Sequence, residues 1–479
     1  MSFFPTDKTF LKIGPFSIQW YAVLILSGAY LAYRLSQRNA RRSHYPSDIL
    51  GDYFVYVLWC GIIGARLWYC VFYDFNYYFS NPLNILKVYE GGLAIHGGLI
   101  AGVLFTLWYC KRKNLSFLKM ADMIMPNVLL AQAIGRWGNF VNQEAHGGVV
   151  DASYYDGILS FLKERMCIDG VYYEPMFFYE SILCILGFCL ITFLLKPRQN
   201  KRGDLFWAYL MWYGLIRFFI EMKRTDALMI FGLKTAQLTS LAGIAIGVCG
   251  YIGLFDRFFP KRKPTILFDF DGTLVDTKRA IRDSYEQVLI NNGRQDLYTE
   301  EFKNEIIGPS LQHIFKKYFP ERDSEELIAE YRKYNDEFLK TEADLMPGGR
   351  ELLEALKKDG YNVGIVSVRA HRSIKLINEI LKIGDLSGDQ IGCDEVKKMK
   401  PDPEGIITIV NRNNWNRDEV IYVGDSDSDI LAGKNYGAYT VGYFDLPVRR
   451  QRLLDAGADA YTGDLTEIIE IVKSYPQQV

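Results

Sequence analysis

The run Gly135-Arg136-Trp137-Gly138-Asn139-Phe140-Val141-Asn142-Gln143-Glu144 sets an arginine, two asparagines and a glutamate at the end of an apolar stretch of membrane length. Side chains that polar are costly at membrane depth and are kept there mainly for function. A lone arginine at a helix end would snorkel to water, but a glycine-spaced Arg/Asn/Asn/Glu cluster is not explained that way. Guanidinium groups bind phosphate oxygens bidentately and stay charged when partly buried. Arginines at headgroup depth therefore suit a phosphodiester, and they would stabilise the charge that builds on a phosphorylated leaving group. His96, within Gly91-Gly92-Leu93-Ala94-Ile95-His96-Gly97-Gly98-Leu99, is a candidate base for deprotonating a thiol. The alternative for His96 is a core histidine bonded between helices.

A second constellation follows residue 264. Thr265-Ile266-Leu267-Phe268 reads as a buried strand that delivers Asp269-Phe270-Asp271-Gly272-Thr273-Leu274 at its carboxyl end. A calcium loop needs further oxygen ligands and a glutamate at position twelve, and it lies between helices. A strand ending in an acidic pair predicts a doubly wound α/β site instead. Tyr361–Val366 is a predicted strand ending at Ser367, and Lys400 precedes Pro401-Asp402-Pro403. Val420–Val423 is another, ending at Gly424-Asp425-Ser426-Asp427-Ser428-Asp429.

The elements that must position these residues divide the chain in two. Up to about Phe259 it is rich in Trp, Tyr and Phe with long apolar stretches; from Lys261 it is charged and soluble-looking. Seven stretches reach, or nearly reach, spanning length, near 18–33, 48–73, 91–110, 121–141, 176–195, 205–223 and 236–255. Segments 34–47, 111–120, 196–204 and 256–263 hold four Lys+Arg each, whereas 1–17, 74–90, 142–175 and 224–235 hold two, one, two and two. The positive-inside rule then puts the N-terminus outside and the second half in the cytoplasm, as an odd number of spans requires. In that orientation Tyr21, Arg66, His96, Arg136, Asn139, Asn142, Glu180, Tyr213, Arg217, Glu221 and Arg224 all fall toward the outer side. They predict a polar cavity opening at the outer leaflet. The N-terminus does not read as a secretory signal peptide, because its basic residues follow the first apolar stretch. The net charge of −1 gives no sign of nucleic-acid binding. The cysteines form no CxxC, which argues against a zinc or redox role.

The first cluster, the His96 run and Tyr213-Gly214-Leu215-Ile216-Arg217-Phe218 with Glu221 and Arg224 resemble the signatures of the bacterial prolipoprotein diacylglyceryl transferases, over about residues 10–255. The resemblance implies a multi-pass enzyme of the bacterial cell membrane that moves the diacylglyceryl group of phosphatidylglycerol to the lipobox cysteine of a prolipoprotein, without a cofactor. By motif, Arg136 would bind phosphatidylglycerol and Arg217 would help hold its phosphate. His96 would be catalytic, with Tyr21, Asn139, Glu180 and Tyr213 shaping the site and Asn142, Glu144, Glu221 and Arg224 completing the motifs. One departure is Glu174-Pro175 before Tyr179-Glu180, where the family usually carries His-Pro. The rival reading is a transporter for an anionic solute fused to a phosphatase; transporters often have paired halves, and no internal repeat is visible here.

The four motifs of the second half resemble the phosphatase branch of the haloacid dehalogenase superfamily, over about 264–475. Residues 260–264 form a linker, and amphipathic residues 279–346 look like that branch's inserted helical cap. The predicted fold is thus a seven-span α-helical membrane domain (1–259) plus an α/β doubly wound, Rossmann-like hydrolase domain (265–479). The resemblance implies Asp269 as nucleophile, Asp271 as acid and base, and Mg²⁺ held by Asp269, Asp425 and the main-chain carbonyl of Asp271. Ser367 and Lys400 would bind the phosphoryl group of a small phosphorylated metabolite, with Asp429 orienting Lys400 or metal-bound water. Phosphoglycolate, pyrophosphate and sugar phosphates all remain open, and nothing in Glu305–Ser310 chooses among them.

Overall fold

The computed structural model describes the whole chain except residues 1–4, 6, 14–15, 47–48, 74, 89–90, 200, 225–228, 231–232, 260–261, 307–309, 445–446 and 476–479. Part of the predicted linker and Ile307–Pro309 therefore lie outside the described residues.

Among the described residues the first half holds seven long helices: α1 Trp20–Arg42, α2 Ile49–Phe72, α3 Ile95–Lys113, α4 Phe117–Asn142, α5 Met176–Cys189, α6 Asp204–Lys223 and α7 Thr235–Tyr251. Each falls on one predicted stretch. α1 runs past position 33 to Arg42 because its basic residues continue the helix beyond the apolar part. α5 continues without a break through Leu195 to Arg198. Four of these helices are long and apolar enough to cross a bilayer: α2, α4, α5 with its continuation, and α6. Small residues let them pack closely, as membrane helices require. A Cβ added to Gly97 of α3 would lie 2.3 Å from the Gly64 carbonyl oxygen of α2, and one added to Gly28 of α1 would lie 2.9 Å from that of Ala131 in α4. Between α4 and α5, Val149–Val150, Cys167–Ile168 and Val171–Tyr173 form a small antiparallel sheet.

The second half is built on six parallel strands: β1 Thr265–Phe268, β2 Asn362–Val366, β3 Asp389–Ile391, β4 Val420–Gly424, β5 Tyr439–Tyr443 and β6 Ala460–Thr462, in the order β3-β2-β1-β4-β5-β6. Their apolar runs serve both faces, as a covered parallel sheet demands. Ile266, Phe268, Ile365 and Val423 enter one core, while Leu267, Val366 and Tyr422 enter the other. Between β1 and β2 the chain inserts helices Lys278–Asn291, Glu300–Glu305, Leu311–Tyr318 and Ser324–Glu342. These pack on their own core around Tyr285, Phe302, Phe315 and Tyr331. Val275–Asp276 paired with Asp344–Leu345 closes the neck of the insertion.

The two halves meet through buried polar contacts. Lys119 at the start of α4 donates to the Asp418 carbonyl at 2.6 Å, and the Ser116 amide donates to the Asp418 carboxylate at 2.9 Å. Arg202 pairs with Glu419, and a His44 ring nitrogen lies 3.1 Å from the Ala438 carbonyl. The second half thus sits against the basic connections that follow α1, join α3 to α4 and precede α6.

Candidate active sites

In the first half, α4, α5 and α6 bring two predicted arginines onto one predicted carboxylate. Glu180 is 3 % exposed, with Oε1 2.8 Å from Arg136 Nη2 and Oε2 3.2 Å from Arg217 Nη1. Arg136 also donates to the Tyr213 hydroxyl at 3.1 Å. Arg217 reaches Glu221 at 2.9 Å, and Arg224 lies 3.9 Å from the same carboxylate. The spacing explains the grouping: Tyr213, Arg217, Glu221 and Arg224 follow one another at i+4, i+4 and i+3 along one face. One carboxylate between two guanidiniums fixes both, while most of the donors on Arg136 stay available to an anion.

Asn139 and Asn142 form a second group, each donating to Glu144 Oε1 at 3.1 and 3.2 Å. No direct polar bond joins this group to the arginine cluster among the described residues. Tyr21, at the start of α1, packs its ring on Gly138, where an added Cβ would come within 2.4 Å of the ring. His96 stands in the first turn of α3 with its side chain exposed. It makes no hydrogen bond or ion pair among the described residues and does not touch the arginines. It is therefore not the inter-helix core histidine that was the alternative.

Arg66 does not line a cavity. It is 4 % exposed and donates to the carbonyls of Asn84, Ile85, Lys87, Gly91 and Gly92. Its guanidinium is consumed in shaping the segment that leads into α3 and His96. Glu174, in place of the family's usual histidine, bonds Lys223 at 3.0 Å beside the end of α6. Lys234, which no motif marks, donates to the carbonyls of Glu221 and Arg224 at 2.7 Å and ties down the end of that helix.

In the second half the strands end as predicted. Asp269 follows β1, Ser367 follows β2 and Asp425 follows β4, which gathers them at one edge of the sheet. Lys400 Nζ lies 2.5 Å from both Asp269 Oδ1 and Asp429 Oδ1. Asp429 is held in turn by the Ser426 amide and hydroxyl. Carboxylate oxygens of Asp269, Asp425 and Asp429 can all lie within 4.8 Å of one another. Gly272, at φ +86°, admits this approach, because a Cβ there would stand 2.5 Å from Asp425 Oδ2. Burial, then the negative charge of Asp429, raises the pKa of Asp269 and lifts that of Asp425 to about 7. A cluster of hard oxygen donors that repel one another when ionised fits a divalent cation. Asp429, expected to orient Lys400 or metal-bound water, lies against Lys400 Nζ and also belongs to this cluster.

Asp271 points elsewhere. Its carboxylate is gripped by Arg369, with Nε at 2.9 Å from Oδ2 and Nη2 at 2.6 Å from Oδ1, and accepts from Thr277 at 2.6 Å. Burial would raise its pKa, but the charge and hydrogen bonds of Arg369 outweigh that and hold it below the usual carboxylate range. In this arrangement Asp271 is a carboxylate, and donating a proton requires the pair to part. Arg369 also donates to Asn335 on the inserted helices at 3.0 Å, so one side chain connects Asp271 to the insertion. It lies two residues beyond the strand-end Ser367; that position was its only signal in the sequence.

The family model for prolipoprotein diacylglyceryl transferase matches residues 8–253. The phosphatidylglycerol–prolipoprotein diacylglyceryl transferase of Bacillus cytotoxicus is 43 % identical over 244 residues, 50 % of this chain and 90 % of that protein. The protein of the same name from Halalkalibacterium halodurans is 44 % identical over 241 residues, 50 % of this chain and 82 % of its own length. The chain belongs to the prolipoprotein diacylglyceryl transferase family. A second family model, haloacid dehalogenase-like hydrolase, matches residues 266–443, so the chain joins two enzyme domains. A crystal structure described as a haloacid dehalogenase-like hydrolase from Bacteroides fragilis shares 28 % identity, covers 43 % of this chain and all of that one, and has a TM-score of 0.40.

Proposed function

We propose that the first half transfers the diacylglyceryl group of phosphatidylglycerol to a lipobox cysteine, and that the second half hydrolyses a small phosphate ester. The observation that carries the transferase reading is the Arg136–Glu180–Arg217 cluster, two guanidiniums fixed by one buried carboxylate. Arg136 and Arg217 take the phosphate of phosphatidylglycerol. The cysteine sulfur attacks the glyceryl carbon, the carbon–oxygen bond to phosphate breaks, and glycerol phosphate leaves with the bonding electrons. The arginines stabilise that charge as it forms. His96 takes the thiol proton. Base and phosphate clamp sit on different helices, and in-line displacement puts nucleophile and leaving group on opposite sides of the carbon. The bundle spans the membrane seven times with this cluster toward the outer side and the hydrolase half in the cytoplasm, in keeping with the basic connections.

Membranes carrying the protein, given phosphatidylglycerol vesicles and a lipobox peptide, should lipidate the peptide. Arg136→Ala should lower transfer at least a hundredfold through loss of charge-assisted hydrogen bonds worth roughly 1.5–3 kcal/mol each. Near-normal transfer by that variant would refute the clamp, and full activity of His96→Gln would refute the base.

In the hydrolase half the inserted helices form a cap over the site. Asp269 attacks phosphorus and the bond to the leaving oxygen breaks, giving an aspartyl phosphate. Asp271, once it parts from Arg369, protonates the leaving oxygen and later takes a proton from the water that attacks phosphorus, breaking the bond to Asp269 and releasing inorganic phosphate. Lys400 and Ser367 hold the phosphoryl oxygens. Mg²⁺ held by Asp269, Asp425 and the Asp271 carbonyl would screen the repulsion between carboxylate and phosphate.

A further inference from the structure

A cavity of about 240 Å³ opens where the basic helix ends meet the tether to the hydrolase half. Four cations from three segments line it: Lys111 at the end of α3, Lys201 and Arg202 before α6, and Arg262 beyond α7. Two of them are paired with carboxylates, one of which, Asp256, also lines the cavity, and two are not. Lys201 stands 3.9 Å from Asp256, Arg262 donates to the neutral amide of Asn416, and Arg202 pairs with Glu419. Lys111 is exposed and has no partner among the described residues. The rest of the wall is apolar. Phe117 stacks on Phe259 with ring centroids 5.7 Å apart, and Leu107 and Phe258 are 40 % and 62 % exposed at the cavity. Leu107 continues into an exposed strip of α3 with Leu104 and Trp108, at spacings that share one helix face.

We propose that this cavity binds the phosphate of an anionic phospholipid from the leaflet on the hydrolase side, with its acyl chains along the Leu104–Leu107–Trp108 strip. The charge calls for an anion. The volume is below that of a drug-sized ligand pocket, roughly 300 Å³ upward, and suits a headgroup. The apolar strip running from the cavity favours a ligand that carries hydrocarbon over a free anion. Basic pockets between helix ends are where such headgroups bind. A lipid held there would join α3, the loop before α6 and the tether, fastening the hydrolase half to the membrane half. The site lies at the end of the bundle opposite the Arg136 cluster and rests on the membrane reading of the first half alone.

The test is native mass spectrometry of the full-length protein titrated with phosphatidylserine, an anionic lipid that is not the proposed diacylglyceryl donor, and with phosphatidylcholine. Phosphatidylserine should bind selectively, and K111A/K201A should weaken its tightest binding roughly 25-fold, about fivefold per cation removed. Arg136→Ala should keep that tight binding, and K111A/K201A should keep diacylglyceryl transfer, so this proposal and the transferase reading fail separately. Lys111→Glu alone, at an exposed position, gives a second variant that tests charge without touching the interior. Unchanged binding in both variants overturns the proposal, as does equal affinity for phosphatidylcholine. Displacement of the lipid by millimolar inorganic phosphate would make this a soluble-anion site and overturn the lipid assignment.

Discussion

Replacing Glu180 by glutamine keeps the shape of the residue between Arg136 and Arg217 but removes the charge that holds both. One carboxylate oxygen faces Arg136 at 2.8 Å and the other faces Arg217 at 3.2 Å. Glutamine can offer its carbonyl to only one guanidinium, and its NH₂ then meets the other, donor against donor. Breaking a buried ion pair by removing one partner costs about 3–5 kcal/mol. The side chains of Arg136 and Arg217 are 23 % and 16 % exposed and keep some contact with their surroundings, so the low end, about 3 kcal/mol, applies. Where that loss falls on the placement of the phosphate, it corresponds to roughly a hundredfold in kcat/KM. Where it falls on the fold, it corresponds to a Tm lower by roughly 5–10 °C. Transfer to a lipobox peptide and thermal unfolding in detergent, measured on the same preparation, separate the two. A double-mutant cycle with Arg217→Gln should show strong coupling, because the second substitution removes one of the cations left unpaired. Wild-type transfer and Tm in Glu180→Gln would refute the claim that this carboxylate holds the clamp.

Other outcomes follow from the hydrolase half and the membrane. Asp269→Asn in the full chain should abolish release of phosphate from a phosphate-ester panel while leaving diacylglyceryl transfer intact, and EDTA should imitate it reversibly, with Mg²⁺ restoring turnover. Arg369→Ala removes the charge that holds down the Asp271 pKa and leaves burial to raise it, so the acidic limb of the phosphatase rate profile should move to higher pH; an unmoved limb would show that Asp271 is not the titrating group. Sealed vesicles with the transferase face outward should release glycerol phosphate that stays phosphorylated until detergent is added; free phosphate from intact vesicles, lost in Asp269→Asn, would overturn the topology.

The hydrolase site was legible because its chemistry is tied to strand ends. In a parallel sheet the carboxyl ends gather at one edge, so Asp269, Ser367 and Asp425 had to converge once their strands were placed. The Arg136–Glu180–Arg217 cluster was legible as an exception, since arginines and a glutamate within apolar helices need one another. Arg369 was not, because an arginine just past a strand end is ordinarily a solvated one, and its bond to Asp271 spans nearly a hundred residues of sequence. Arg66 was recognised as unusual, but its partners are backbone carbonyls, which leave no pattern in a sequence. The small sheet within 149–173 has strands of two or three residues, too short for alternation to register. The docking of the halves through Lys119 and Asp418 joins positions hundreds of residues apart, with no motif at either end.

That docking bears on why two enzymes share a chain. Lys119 and Arg136 lie on the same helix, roughly 25 Å apart along its axis at about 1.5 Å per residue. The hydrolase half rests against the first, and the arginine cluster is built around the second. On the proposed topology, glycerol phosphate leaving the cluster would have to cross the apolar bundle to reach Asp269, and an unpaired anion does not cross such a medium without a carrier. Product channelling is thus a poor account of the fusion. The contacts favour another. Lys119, Asp418 and Glu419 are each at most 2 % exposed, so the halves share a desolvated polar interface. Breaking such an interface is costly once formed. It holds the hydrolase domain against the basic helix ends of the first half.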